Sequence, residues 1–198
     1  EGGPYDIHAS AGGKTGTAQV TVAEVPPIHL KLNCGGSGVA GWESETPYLV
    51  AGHTGSAFDF GDNADTAGVD NAAPPAVYRT VRHENHRYNF GEIPDGTYTV
   101  RFHFNDAYAG AERAMDYTVE GTKVIDDLNI GAEAGGGSTA LVLQFEVSVS
   151  DGNGLQIVCD RDQGNDVFEA GIEIVSTHST AAPPITVNEP PAGFVAAQ

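Results

Sequence analysis

Residues 96–108 read Gly-Thr-Tyr-Thr-Val-Arg-Phe-His-Phe-Asn-Asp-Ala-Tyr, and this stretch decides the fold class. Apolar side chains recur at every second position from Tyr98 to Phe104, with polar side chains such as His103 between them. A period of two predicts a β-strand with one buried face and one face in water. The preceding Pro94-Asp-Gly is a turn sequence, since proline presets φ and glycine accepts a positive φ.

Polar and aromatic side chains follow this strand directly. The apolar alternation ends at Phe104, and Asn105, Asp106 and Tyr108 come next. A rigid strand that delivers such groups into a loop is how sandwich folds build binding sites. We therefore expect the functional end of the molecule at the rim where this strand ends.

The composition supports an all-β fold and excludes two classes of function. The chain has 198 residues with 26 Gly and 11 Pro, and no window keeps a helical period. No apolar run approaches the length of a membrane span, so membrane insertion is not expected. Nine basic residues face 27 acidic ones, a net charge of −18 that argues against nucleic-acid binding. This acidity suits a secreted or halotolerant surface, or serves solubility alone.

Short alternating runs outside residues 96–108 predict the remaining strands. They are Ile28–Asn33, Ala76–His83, Tyr88–Ile93, Arg113–Val119, Thr122–Ile130, Leu141–Val149, Leu155–Cys159 and Phe168–Val175. Eight to ten short strands joined by Gly-rich turns predict an antiparallel sandwich of two sheets. The connection 34–76 carries few strand signals, and a connection of that length is usually functional. Residues 131–137 are rich in glycine and are expected to form a flexible loop.

The two ends of the chain differ from this main domain, predicted at 28–176. Residues 1–25 read as a β-hairpin around a Gly12-Gly-Lys-Thr-Gly16 turn, and Pro26-Pro27 is a stiff linker. Residues 177–198 are rich in Ala, Pro and Thr and read as a linker or tail with one short strand at 185–187. Because the sequence begins at Glu1 without a methionine, we expect a processed or excised piece of a longer protein.

Metal and catalytic motifs are weak. Cys34 and Cys159 are too few for a disulfide scaffold or a zinc site, and either one bridge or two buried free thiols fits them. His83 and His86 lie three apart at a strand end, where no metal-binding face is fixed. The carboxylates around Asp59 and Asp65 could ligate Ca²⁺, but their spacing is not that of an EF-hand loop.

The remaining motifs favour no enzyme class. Asp160-Arg161-Asp162 is typical of an exposed charge pair rather than a catalytic dyad. There is no Gly-x-Ser-x-Gly elbow, phosphate loop or Cys/His nucleophile arrangement. The sequence therefore predicts no catalysis, no metal site and no cofactor.

Several motifs taken together, in order and spacing, resemble a malectin domain over about residues 28–176. They are Asn33-Cys-Gly-Gly, Val77-Tyr-Arg-Thr-Val-Arg, Tyr88-Asn-Phe, the stretch 96–108, Arg113-Ala-Met-Asp-Tyr-Thr-Val-Glu-Gly, Val124-Ile-Asp-Asp-Leu-Asn-Ile and Ala170-Gly-Ile-Glu-Ile. The resemblance implies a galactose-binding-like jelly-roll sandwich that binds glycans and performs no chemistry. In bacteria such domains are carbohydrate-binding modules beside glycosidases or adhesion repeats.

The resemblance also implies a ligand site. The aromatic ligand positions of the family fall on Phe60, His83 and the Tyr108-Ala109 pair, and its acidic position falls near Asn165 or Asp166. His83 and Ala109 depart from the aromatic pattern, so a full aromatic cradle for a diglucoside is missing.

Sugar chemistry gives an independent reason for a similar set of residues. Sugars present C–H patches that stack on aromatic rings and hydroxyls that need polar partners. Both kinds of group are supplied by Trp42, Phe60, Tyr108, Asn105, Asp106, Asn165 and Asp166. Of these, we expect Phe60, Asn105, Asp106, Tyr108 and Asn165 to converge on one concave rim.

Two functions from different classes follow. The first is a non-catalytic carbohydrate-binding module of a larger secreted or cell-surface protein, with an oligo- or polysaccharide as partner. The second is a structural or adhesive module. The hairpin 5–23 resembles the last strands of an immunoglobulin-like or cadherin-like bacterial surface domain. The tail of one chain could complete the hairpin sheet of the next, assembling neighbouring copies head to tail into a filament or surface layer.

Overall fold

The computed structural model describes residues 2–22, 27–108 and 112–177. By internal contacts the chain divides into two units, and one of them holds every described residue from Pro27 onward. The predicted short strand at 185–187 lies outside the described residues.

The N-terminal unit contains the predicted hairpin. Strand β1 spans Gly2–Ala11, strand β2 spans Lys14–Val22, and they pair antiparallel. The turn between them is tighter than expected, because Lys14 already pairs with Ala11. Gly12 and Gly13 have φ values of 57° and 75°, the conformation that a two-residue type I′ turn demands at both central positions.

The second unit is a sandwich of two sheets, as predicted. One five-stranded sheet has the order β10-β7-β13-β3-β4, built from Leu141–Val149, Gly96–Phe104, Gly171–Ser176, His29–Asn33 and Glu43–Ser44. The six-stranded sheet has the order β12-β6-β11-β8-β9, built from Phe168–Glu169, Thr80–Phe90, Leu155–Gly164, Arg113–Val119 and Thr122–Leu128, with β5 (Leu49–Asp59) also paired to β6. Pairing is antiparallel except between β3 and β4.

The core lies between the two sheets. Phe102 and Phe104 of β7 meet Tyr117 of β8 with ring centroids 4.9 and 5.4 Å apart, and all three side chains are fully buried. Aromatic pairs at these separations add to the hydrophobic gain of burial. Among the described residues, no helix is long and apolar enough to span a membrane.

Strand β7 confirms the predicted alternation, with one exception. Tyr98, Val100, Phe102 and Phe104 are buried, and the side chains between them are half-buried up to Arg101. His103 was predicted on the wet face but is fully buried. The reason is that residues distant in the sequence cover this side chain, and the alternation within one strand cannot indicate such contacts.

Several element boundaries were predicted wrongly. The connection 34–76 contains the eleven-residue strand β5, whose glycines and polar residues masked it. Residues 75–79 form a short 3₁₀ helix, and the two strands predicted at 76–83 and 88–93 are one strand, β6. The predicted loop 131–137 contains most of a one-turn helix, Ile130–Glu133, whose first turn is capped by the Asn129 side chain. The described part of the sandwich holds eleven strands, β3 to β13, more than the predicted eight to ten.

Candidate functional site

Five aromatic rings gather where β5, β6 and β12 end, and we call them the aromatic patch: Phe58, Phe60, His83, Tyr108 and Phe168. The Phe60 ring lies 5.3 Å from Phe58, 5.9 Å from Tyr108 and 5.6 Å from Phe168, measured between centroids. His83 closes the patch on the other side, 6.3 Å from Phe58 and 6.2 Å from Phe168.

The patch faces solvent. Phe58 is 37% and Tyr108 51% exposed, and among the described residues from Pro27 onward these are the exposed large hydrophobic side chains. Both belong to one contiguous group of rings, since their centroids are 6.2 Å apart. Phe168 is buried beneath them as a floor. Scattered single exposed hydrophobics need no explanation, whereas a cluster marks an interaction site.

Strand geometry brings these rings together. Phe58 is the last aromatic residue of β5, and Phe60 follows with its backbone N–H donating to the Arg79 carbonyl at 2.9 Å. His83 of β6 and Phe168 of β12 are direct cross-strand neighbours. Residues opposite each other in an antiparallel pair share a face of the sheet, so the two rings meet on the same side.

Asp106 and Arg113 form a buried support under the patch. Arg113 donates to Asp106 at 2.6 Å with both side chains nearly out of solvent, and its guanidinium carbon lies 3.7 Å from the Phe168 ring centroid. Arg113 also donates to the Asp166 carbonyl. Asp106 accepts the backbone N–H of Tyr108 at 2.9 Å. Asp106 is therefore engaged inside the protein, where it fixes the start of the Tyr108 loop.

Asn105 and Trp42 also lie below the surface rather than on it. Asn105 donates from its side-chain amide to the Tyr78 carbonyl at 2.8 Å and is buried. Trp42 is buried edge-on against His103, with ring centroids 4.9 Å apart. The Tyr78 hydroxyl lies 2.9 Å from His103 Nδ1. Trp42 and Tyr78 thus cover His103, which was predicted to face solvent. Trp42 has no ring contact with the patch among the described residues.

Polar side chains border the patch. Asp166 is half-exposed and accepts from Arg161 at 2.9 Å, and its other oxygen lies 4.0 Å from His83 Nδ1. Asn165 is exposed, and its backbone and side-chain amides both donate to the Glu112 carbonyl. Asp166 therefore connects this polar border to the aromatic patch, at the end of the sandwich where Tyr108 lies. Trp42, Asn105 and Asp106 are buried beneath this surface.

A second charged pair borders Phe58 and Phe60. Asp59 lies between them in sequence and accepts two hydrogen bonds from Arg79, at 2.9 and 3.0 Å. The Arg79 hydrogen bonds, with the Gly61 backbone N–H, lower the pKa of Asp59 below its ordinary value. Asp59 therefore remains a carboxylate and a hydrogen-bond acceptor at any pH of interest.

Burial shifts two other groups near this end. Desolvation lowers the pKa of His103 to about 4, so its imidazole is neutral at neutral pH. Desolvation likewise raises the pKa of Tyr78 to about 12. The Nε2 atom of His103 has no hydrogen-bond partner among the described atoms. These groups are structural supports that stay uncharged.

The sequence analysis did not identify Phe58, Phe168 or Arg113 as contributors to this region. Phe58 alternates with the predicted residue Phe60 around Asp59, a pattern that can be interpreted only when β5 is recognised. Phe168 was assigned to the core-forming last strand, and Arg113 to a strand start, with no signal for their stacking.

The two cysteines do not form a disulfide bond. Cys34 and Cys159 are buried free thiols, the second of the two alternatives left open by the sequence. Desolvation raises the pKa of both well above the ordinary value, so neither is an activated nucleophile. Both sulfurs lie beside the same buried carboxylate, Glu169.

Comparisons with known proteins show the family and the fold. A family model described as the malectin domain matches residues 28–181. A search of curated proteins gives no significant match. The ANX2 ectodomain from Arabidopsis thaliana superposes with a TM-score of 0.66 at 18% identity, covering 76% of this chain and 50% of that chain.

Two further solved structures share the fold. The plant complex of the peptide RALF23 with FER and LLG2 gives a TM-score of 0.62 at 18% identity, over 79% of this chain and 50% of the matched chain. A calcium-binding mutant of Bacteroides uniformis beta-glucuronidase 2 gives 0.57 at 20% identity, over 86% of this chain and 22% of that chain. The chain thus spans about half the length of the plant ectodomains and less of the bacterial enzyme.

Proposed function

The chain belongs to the malectin domain family over residues 28–181, and from this premise we propose that it is a non-catalytic carbohydrate-binding module of a larger secreted or cell-surface protein. The aromatic patch is its glycan-binding surface. The observation that carries the proposal is the solvent-facing contact between Phe58 and Tyr108 above a buried Phe168 floor.

The chemistry of the patch suits a sugar. Aromatic rings offer flat apolar faces to the C–H patches of a pyranose, at low conformational cost because the rings already pack on one another. Asp166, Arg161 and Asn165 border these rings and offer a carboxylate, a guanidinium and an amide to hydroxyl groups. A binding surface needs no catalytic group, and the two cysteine thiols are buried away from it.

The proposal is tested by a glycan array followed by calorimetric titration of the best ligand. We expect the double variant Phe58→Ala/Tyr108→Ala to lose measurable binding while it keeps the wild-type circular dichroism spectrum. Tyr5→Ala is the matched control, because Tyr5 is a comparably exposed tyrosine on the hairpin. Wild-type affinity in the folded double variant would remove the patch from consideration, and an array without any hit would count against glycan binding.

A second candidate function rests on the hairpin. Tyr5 and Ile7 of β1 are 56% and 43% exposed, two neighbouring apolar side chains on one face of a two-stranded ribbon. Isolated hairpins are marginal in water, and exposed strand edges template pairing with other chains. In this candidate the hairpin is the end of an immunoglobulin-like or cadherin-like domain, completed by a neighbouring copy in a head-to-tail filament.

Sedimentation velocity at increasing protein concentration separates the two candidates. Strand exchange predicts concentration-dependent assembly that the double variant Tyr5→Ser/Ile7→Ser abolishes. A single monomeric species at all concentrations would contradict the filament and leave the binding module.

A further inference from the structure

A buried cluster of metal-binding side chains lies on the inner face of the six-stranded sheet, opposite the aromatic patch. His86 Nε2, Cys159 Sγ and a carboxylate oxygen of Glu169 lie within 4.8 Å of one another, and all three side chains are buried. They come from β6, β11 and β12, and His86 and Cys159 are direct cross-strand neighbours. The prediction that two cysteines are too few for zinc counted thiols and left out this histidine and glutamate.

The distances within the cluster match those between ligands of one metal ion. Glu169 Oε2 lies 3.3 Å from His86 Nε2 and 3.4 Å from Cys159 Sγ. Zinc–ligand bonds of about 2.0–2.3 Å in a tetrahedron place neighbouring ligand atoms roughly 3.3–3.8 Å apart. Both separations fall in that range. Cys34 Sγ lies 3.6 Å from the other carboxylate oxygen, Oε1, and does not belong to the group whose ligand atoms all lie within 4.8 Å of one another.

The histidine is oriented as a metal ligand is. His86 Nδ1 lies 2.8 Å from the Glu84 carbonyl oxygen, which can only accept, so Nδ1 carries the proton. In the neutral ring this leaves the lone pair on Nε2, which points at Glu169 and Cys159. A backbone carbonyl that fixes the tautomer through the distal nitrogen is the usual outer-shell partner of a zinc-bound histidine.

The charges around Glu169 leave a place for a cation. Its side chain is fully buried, and among the described residues its hydrogen-bond partners are one imidazole and two thiols, which are weak donors. Arg82 lies next to Glu169 across the strand pair but is engaged by the buried Glu45. A buried carboxylate needs pairing or a coordinated metal, and among the described residues the basic group within 4 Å of Glu169 is the His86 imidazole, with no lysine or arginine at that distance.

We propose that His86, Cys159 and Glu169 bind one structural Zn²⁺ ion. A thiolate, an imidazole and a carboxylate are donors that zinc accepts in tetrahedral sites. The ion ties β6, β11 and β12 together. The proposal is independent of glycan binding.

A second acidic cluster in the same sheet serves as an internal contrast. Asp116, Asp126 and Asp127 lie close together near the surface. Lys123 Nζ already donates to Asp116 and Asp126, at 2.7 Å each. The Lys123 ammonium already occupies this cluster, and the cluster contains no thiol or imidazole. It is therefore the control for adventitious metal binding.

The test is to unfold the full chain in denaturant with a chelator and refold it with ZnCl₂ or with the chelator alone. Refolding is needed because the cluster is sealed inside the sheet. We expect one zinc per chain after desalting and a higher melting temperature for the zinc-loaded protein. With CoCl₂ in place of zinc, we expect sulfur-to-cobalt charge-transfer absorption, which exposed histidines and carboxylates cannot produce.

Variants assign the ligands. Glu169→Gln, a substitution of nearly equal shape, and Cys159→Ser should abolish retained zinc. Cys34→Ser should retain zinc and the charge-transfer absorption, since Cys34 lies beside the group and is not one of the three ligands. Asp116→Asn should retain zinc as the wild type does. A wild-type protein that refolds fully with no retained zinc and an unchanged melting temperature would overturn the proposal whatever the variants do, as would zinc lost only in Asp116→Asn.

Discussion

Phe168 and Glu169 are consecutive residues of the two-residue strand β12, yet they belong to opposite regions of the molecule. Phe168 is the floor of the solvent-facing aromatic patch, whereas Glu169 is fully buried among two thiols and a histidine. Strand β6 repeats the contrast, with His83 at the patch and His86 in the buried cluster. Successive side chains of a strand point to opposite faces, so one pair of strands builds both regions.

The contrast teaches that residue type does not decide which region is a surface for partners. Each region contains a histidine from β6, and each contains an acidic side chain beside it. What differs is cover: the inner face of β6 and β12 meets the other sheet, while the outer face meets solvent beyond Phe58 and Tyr108. Apolar rings are exposed outside and polar groups are enclosed inside, the reverse of the average tendency in proteins.

The largest expected effect comes from breaking the buried Asp106–Arg113 ion pair beneath the aromatic patch. Asp106→Ala leaves Arg113 buried without its carboxylate, and we expect a loss of about 3–5 kcal/mol in the free energy of unfolding. Urea denaturation measures it. The matched control is Asp166→Ala, which removes a half-exposed partner of Arg161. A similar loss in both variants would contradict the buried role of Asp106.

A pH titration extends the comparison to a third histidine, His103 of the five-stranded sheet. Its pKa of about 4 lies below the ordinary 6.5, chiefly through desolvation. Between these values the unfolded chain binds a proton that the folded chain does not. Stability is therefore complete above about pH 6.5 and falls as the pH drops towards 4, by roughly 3 kcal/mol.

His103→Gln isolates this contribution. Urea unfolding at closely spaced pH values should show a shallower slope between pH 4 and 6.5 for the variant than for the wild type. Equal slopes would mean that other carboxyl groups or histidines produce the pH dependence and that His103 does not.

The patch should respond in binding rather than in stability. Tyr108→Ala removes an exposed ring, so we expect glycan affinity to fall by about 1–3 kcal/mol with the unfolding free energy changed by less than about 0.5 kcal/mol. Calorimetry and urea unfolding measure the two quantities. A large loss of stability would show that Tyr108 is part of the core and would remove the distinction between patch and support.

The smallest expected effect concerns the exposed charge at the border. Asp166→Asn removes the charge that faces Arg161, with the two side chains 40% and 48% exposed. Pairs of this kind contribute less than about 1 kcal/mol, and salt screens them. Unfolding at low and at high salt should differ less for the variant. A loss above 1 kcal/mol would place this pair with the buried support.

The sandwich was predictable from sequence because strands such as β7 and β10 alternate over their full length. Strand β5 was not, since its glycines and polar side chains lack a period of two. For the site, Phe60, His83 and Tyr108 were named and lie in the patch. Whether they bind a ligand stays a prediction. Asn105, Asp106 and Trp42 were predicted to contact a ligand, but their side chains are buried. Burial could not be predicted there because it depends on residues far away in the sequence.

The free state of the two thiols has a consequence for the life of the protein. Cys34 and Cys159 are the only cysteines in the sequence, and both are unpaired and sealed from solvent. Maturation therefore requires neither an oxidant nor a disulfide isomerase. The chain can reach its native state under reducing or oxidising conditions, and dithiothreitol should leave its melting temperature where it was.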